Sequence, residues 1–112
     1  FCLLAFNANA KETTFKKELF DKAQAEGKVV IVSSWIKYCS SCASQMKVLD
    51  KAKNDFNNIE YFAFDVTNKE IAELFDVQYQ TTLLIFKDKK LVYRSIGETT
   101  KDLIYKAIQS SI

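Results

Sequence analysis

The sequence predicts one α/β domain: a mixed β-sheet of about four strands with helices on both faces. Three observations carry that expectation. β-Branched apolar runs alternate with amphipathic segments along most of the chain, which implies parallel strands joined by right-handed crossovers. Late in the chain two strand-like runs are separated by only Asp88-Lys89-Lys90, which adds an antiparallel hairpin. Finally, 112 residues, of which 48% are hydrophobic and 13% aromatic, suffice for one packed core, and no linker, repeat or low-complexity tract divides them.

Taken in order, residues 12–26 read as a helix with Phe15, Leu19, Phe20 and Ala23 on one side and Gly27 as its end signal. Residues 29–34 have the length and branching of a buried strand. From Cys42 to Phe56 the apolar residues Met46, Leu49, Ala52 and Phe56 recur at the spacing of one helix face, and Asn57-Asn58 ends the segment. Residues 59–66 form the next strand. Thr67-Asn68-Lys69-Glu70 has capping-box spacing, and Ile71, Leu74 and Phe75 give the short helix behind it a buried side. Strands follow at 82–87 and 91–95. Thr99 and Asp102 then open a last helix with Leu103, Ile104, Ala107 and Ile108 on its apolar side.

The first ten residues carry no charge. Phe1-Cys2-Leu3-Leu4-Ala5-Phe6 is apolar and Ala8-Asn9-Ala10 has the small-x-small form of a signal-peptidase site. Residues 1–10 are therefore expected to be the remnant of a secretory signal, with a first β-strand as the competing reading and 11–112 as the domain. Cleavage after Ala10 removes Cys2 and leaves Cys39 and Cys42 in an exported chain, in the bacterial periplasm or a eukaryotic secretory lumen. No stretch of ~20 apolar residues follows, so no membrane span is expected.

Composition excludes several chemistries. The formal charge is +2 with lysines and acids interleaved, so no basic block marks a nucleic-acid surface. There is no histidine, which removes Cys-His and Ser-His nucleophile pairs and the commonest metal ligand. With Gly27 and Gly97 as the only glycines, a Gly-rich phosphate loop for a nicotinamide or flavin cannot form, and no cofactor is expected.

What remains is Cys39-Ser40-Ser41-Cys42, on the turn from a strand into a helix. There the free N–H groups and the helix dipole favour a thiolate, the reactive form of cysteine. Cys39 lies at the exposed end and Cys42 one turn further in. Trp35 and Tyr38 flank the pair as an apolar platform or as packing, and Lys37 is either a charge that lowers the Cys39 pKa or a solvated surface lysine.

Trp35-Ile36-Lys37-Tyr38-Cys39-Ser40-Ser41-Cys42, Phe64-Asp65-Val66, Thr82-Leu83-Leu84-Ile85-Phe86 and Gly97 together resemble the thioredoxin-like family over about 11–112. The resemblance implies the thioredoxin fold and a protein thiol–disulfide oxidoreductase of the exported type, in which Cys39 attacks and Cys42 resolves. It implies protein substrates carrying disulfides or thiols, and a redox partner protein that recycles the dithiol. It modestly favours a reductant.

Three departures from the family pattern stand out. The family's cis-proline opposite the dithiol, in the loop that pairs with a partner's backbone and keeps metals from the thiols, is replaced by Thr81 after Gln80. The expectation is a trans peptide there, or a strained one held by the fold. The family's buried acid in the strand before the motif appears as Ser33, which cannot deprotonate the inner cysteine at neutral pH. Lys47 stands where a helix-kinking proline is common, so a straighter helix is expected. Two other classes use the same thiols: a thioredoxin-like binding or chaperone module, and a Cu(I)-type metal-handling protein, although two thiolates fall short of a closed four-ligand zinc site.

Overall fold

A computed structural model describes residues 14–112, so the segment 1–10 lies outside the described residues. The elements are α1 (Lys17–Ala25), β1 (Val29–Trp35), α2 (Ser40–Asp55), β2 (Ile59–Asp65), α3 (Lys69–Leu74), β3 (Thr82–Lys87), β4 (Lys90–Ile96) and α4 (Lys101–Ser111). The four strands form one sheet in the order β2-β1-β3-β4. β1 runs parallel to β2, with Ile31 opposite Tyr61, and antiparallel to β3, with Ile31 opposite Ile85. β3 and β4 are the expected hairpin, and its two turn residues, Asp88 and Lys89, both have positive φ.

Every residue of β1 is buried, as a strand covered on both faces requires. Alternate residues feed two cores. On one face Val30, Val32, Phe62, Phe64 and Leu84 pack with Phe20 and Ala23 of α1 and Ala72 of α3. On the other Val29, Ile31, Leu83 and Ile85 pack with Leu49 and Ala52 of α2 and Ile104, Ala107 and Ile108 of α4. The first core is aromatic: Phe75 lies edge-on to Phe15 and Phe20, with ring centroids 5.1 and 5.4 Å apart.

The structure corrects the sequence reading at the start of α1, at three leucines and at two helix caps. α1 begins at Lys17, because Thr14 and Phe15 are tied to β2: both amides donate to the Ala63 carbonyl, and the Thr14 hydroxyl accepts from Ala63 N–H. Leu19 faces solvent rather than the core, as do Leu74 and Leu103. The cap of α3 is Asn68, whose side chain accepts from Ile71 N–H, because the Thr67 hydroxyl is turned back to Asp65. The cap position of α4 is Thr100, with the Glu98 carboxylate accepting from its amide.

Gly27 behaves as expected. At φ +79 it ends α1 with its amide on the Gln24 carbonyl and the Lys28 amide on the Ala23 carbonyl, the paired bonds that close a helix on a left-handed residue.

Candidate active site

The site lies where β1 gives way to α2. Trp35 ends the strand, Tyr38 turns the chain at φ +61, and Cys39 is the N-cap of α2. The Cys39 Sγ accepts from the Cys42 amide at 3.1 Å and lies 3.4 Å from the Ser41 hydroxyl. No acidic residue occupies the first turn of α2, so nothing there opposes negative charge on sulfur. Cys39 and Cys42 are joined as a disulfide, with Cα atoms 5.3 Å apart. Cys39 is half-buried and Cys42 fully buried. α2 runs on past Lys47 as a single 16-residue helix.

Cys42 packs with Trp35, Met46 and Ala63, and Cys39 and Tyr61 touch the same cluster. Trp35 is only 6% exposed. It is therefore a floor beneath the dithiol, and the expectation of a partner platform passes to Tyr38, which is wholly exposed beside Cys39. Lys37 is exposed on the same turn.

Ser33 is fully buried with its hydroxyl 3.0 Å from the Tyr61 hydroxyl. Burial pushes the Tyr61 phenol above its ordinary value, outweighing the lowering effect of the Ser33 hydrogen bond. The pair beneath the dithiol is thus neutral at physiological pH and holds no carboxylate. Asp65, at the end of β2, accepts from the Thr67 amide and hydroxyl at 2.9 and 2.8 Å.

The loop opposite the dithiol is held from three directions. The Gln80–Thr81 peptide is cis, in place of the trans form that was one of the two expected for it. Gln80 is exposed and Thr81 is buried. The Ser34 hydroxyl donates to the Tyr79 carbonyl and accepts from the Thr82 amide, bridging the loop's ends. The Thr81 carbonyl accepts from Gly97 N–H, and its hydroxyl donates to Oε1 of Gln45 at 2.6 Å. Sequence reasoning singled out neither Ser34 nor Gln45. Gln45 had a signal, since it precedes Leu49 by four residues and Ala52 by seven and so falls on the apolar face of α2. Ser34 had none, because its partners lie 45 and 48 residues away. Among the described residues no group of three or more Cys, Asp or Glu side chains is placed to hold a metal ion.

The thioredoxin family model matches residues 8–110 of this chain. The chain belongs to the thioredoxin family. A thioredoxin of Chlamydia muridarum is 31% identical over 81 residues, covering 71% of this chain and 79% of its own. An H-type thioredoxin of Fagopyrum esculentum is 26% identical over 90 residues, covering 80% and 78%. Among solved structures, Trxlp from Edwardsiella tarda superposes with a TM-score of 0.76 at 27% identity, over 83% of this chain and 93% of that one. The fold is accordingly the thioredoxin fold, and the redox-active pair Cys39–Cys42 makes the chain a thiol–disulfide oxidoreductase. Thioredoxins act on protein disulfides and are served by a reductase partner.

Proposed function

We propose that this thioredoxin reduces disulfides of exported proteins, with Cys39 as the attacking and Cys42 as the resolving thiol. The observation that carries the assignment of roles is the asymmetry of the pair: Cys39 caps α2 half-exposed and receives the Cys42 N–H, while Cys42 is fully buried. The Cys39 thiolate attacks a partner disulfide, forming a mixed disulfide as the partner's S–S bond breaks and the departing thiolate takes up a proton. Cys42, as thiolate, then attacks the Cys39 sulfur and expels the second partner thiol. The partner gains two electrons and the Cys39–Cys42 disulfide forms, to be reduced by another protein's dithiol.

Tyr38, Tyr79, Gln80 and Ile96 are exposed and supply the surface on which a partner chain lies. The reducing direction is supported by the thioredoxin identity of the relatives, and export to the periplasm or a secretory lumen by the uncharged leader-like start of the chain.

Equilibration against glutathione tests the reading. We expect a reduction potential near about −270 mV, whereas a value near about −120 mV makes the protein an oxidant. In the same mixtures Cys42→Ser accumulates a glutathione adduct on Cys39 and Cys39→Ser accumulates little. A reversed pattern exchanges the two roles.

A further inference from the structure

The geometry points to Gln45 as a positioning residue for partner docking: its buried amide clamps the loop 79–82 and the turn carrying Glu98 to the dithiol helix. The inference rests on thiol–disulfide exchange at Cys39 and Cys42, whatever the direction of electron flow.

Gln45 lies three residues beyond Cys42 in α2 and is fully buried. A primary amide in such a place is unfavourable unless both of its ends are satisfied. Here both are. Oε1 accepts from the Thr81 hydroxyl at 2.6 Å, and Nε2 donates to the Glu98 carbonyl at 2.7 Å. The Gly97 amide donates to the Thr81 carbonyl at 2.9 Å, which closes a ring through three segments: α2, the loop before β3 and the turn after β4.

An apolar residue fills a core position without these requirements, so the specific consequence of an amide here is the fixed relation between the three segments. The side chains exposed around this ring are Tyr79 and Gln80 on the loop and Ile96 at the end of β4, beside Gly97, and these are the ones a docked chain would meet. Thr81, at 1% exposure, does not offer its side chain to a partner. Its hydroxyl instead sets where the Gln80 peptide stands relative to Cys39. Gln45 therefore acts on docking of an extended protein chain more than on the reactivity of the sulfurs.

The test compares insulin, a folded protein disulfide turned over with dithiothreitol as electron source, with 5,5′-dithiobis(2-nitrobenzoate), a small disulfide that spans no loop. The small disulfide is reacted with pre-reduced protein freed of dithiothreitol, so that its second-order rate constant stands for kcat/KM. Thr81→Val and Gln45→Leu are each expected to raise KM for insulin about fivefold with kcat within about twofold. Thr81→Ser, which keeps the hydroxyl, retains the wild-type KM. The loss in kcat/KM is expected to be about threefold or more smaller on the small disulfide than on insulin. If Gln45→Leu fails to fold, the Thr81 pair decides. An unmoved KM, a Thr81→Ser variant as impaired as Thr81→Val, or equal losses on both disulfides overturns the inference. An active wild type with any of these results sinks this inference alone; a wild type that reduces neither disulfide sinks the exchange reading with it.

Discussion

Strand β1 enters the sheet as Val29-Val30-Ile31-Val32 and leaves it as Ser33-Ser34-Trp35, buried throughout. Its first half is packed on both faces by aliphatic and aromatic side chains that make no directional demands. Around its second half gather the buried polar side chains Ser33, Ser34, Gln45, Thr81 and Thr82, each with a named hydrogen-bond partner. The first region stabilises by area removed from water and tolerates substitutions of similar volume. The second contributes less net stability per residue and fixes positions, because a hydrogen bond is lost when its partner moves by a fraction of an ångström. One strand thus joins a body that holds the domain together to an end that holds the thiols and the loop 79–82 in register.

The sharpest way to separate the two regions is to damage the first. Ile85 is fully buried between Ile31 and Tyr93, and Ile85→Ala is expected to destabilise by ~2–5 kcal/mol. Denaturant unfolding measures this loss, and the reduction potential of the molecules that remain folded is expected to stay where it was. A potential that moves with the core would erase the distinction.

A smaller effect in stability, and a larger one in chemistry, is expected at Ser33. Ser33→Asp places a carboxylate against Tyr61 in the neutral floor of the site and is expected to cost ~1–3 kcal/mol. Burial raises the folded pKa of such a group above its unfolded value near about 3.9, so the cost is absent in acid and grows as the pH rises through that interval. With a base now near Cys42, release of a mixed disulfide is expected to quicken about tenfold or more in single-turnover measurements. An unchanged rate would mean that the missing acid does not limit resolution.

The smallest effect is expected at the rim of the first region, where Tyr105 packs against the core shared by α2 and α4 and its hydroxyl donates to the Asp55 carboxylate. That hydrogen bond, with Lys51 nearby, holds Asp55 below its ordinary value of 3.8. A depressed folded pKa contributes stability above pH 3.8 that disappears as the pH falls through the lower folded value. Tyr105→Phe is expected to flatten the acid limb of stability below about pH 4 and leave exchange untouched. Thermal melts at pH 3 to 6 would show it, and a curve identical to the wild type's would assign the bond no weight.

The sequence foretold the apolar region more fully than the polar one, for a physical reason. Periodicity records which residues face inward, and the order of the eight elements, the hairpin and the helix ending at Gly27 all follow from it. It misplaced Leu19, Leu74 and Leu103, since a leucine at helical spacing becomes core only if another layer reaches it. It took Thr14 and Phe15 for helix because their pairing with Ala63 is a long-range matter. At the site Cys39, Cys42, Ser33 and Thr81 were legible as motif positions. The bonds of Ser34 and Gln45 were not, because a polar residue inside a domain is defined by partners that local pattern does not reveal.

The clamp at Gln45 also has a consequence for biosynthesis. Its two partners lie 36 and 53 residues further along the chain than Gln45 itself, and both cysteines precede it. On the ribosome the two thiols therefore emerge before the segments that Gln45 ties to their helix. A nascent chain has neither the α2 cap that favours a thiolate at Cys39 nor the loop held against it; both arrive together when the domain closes.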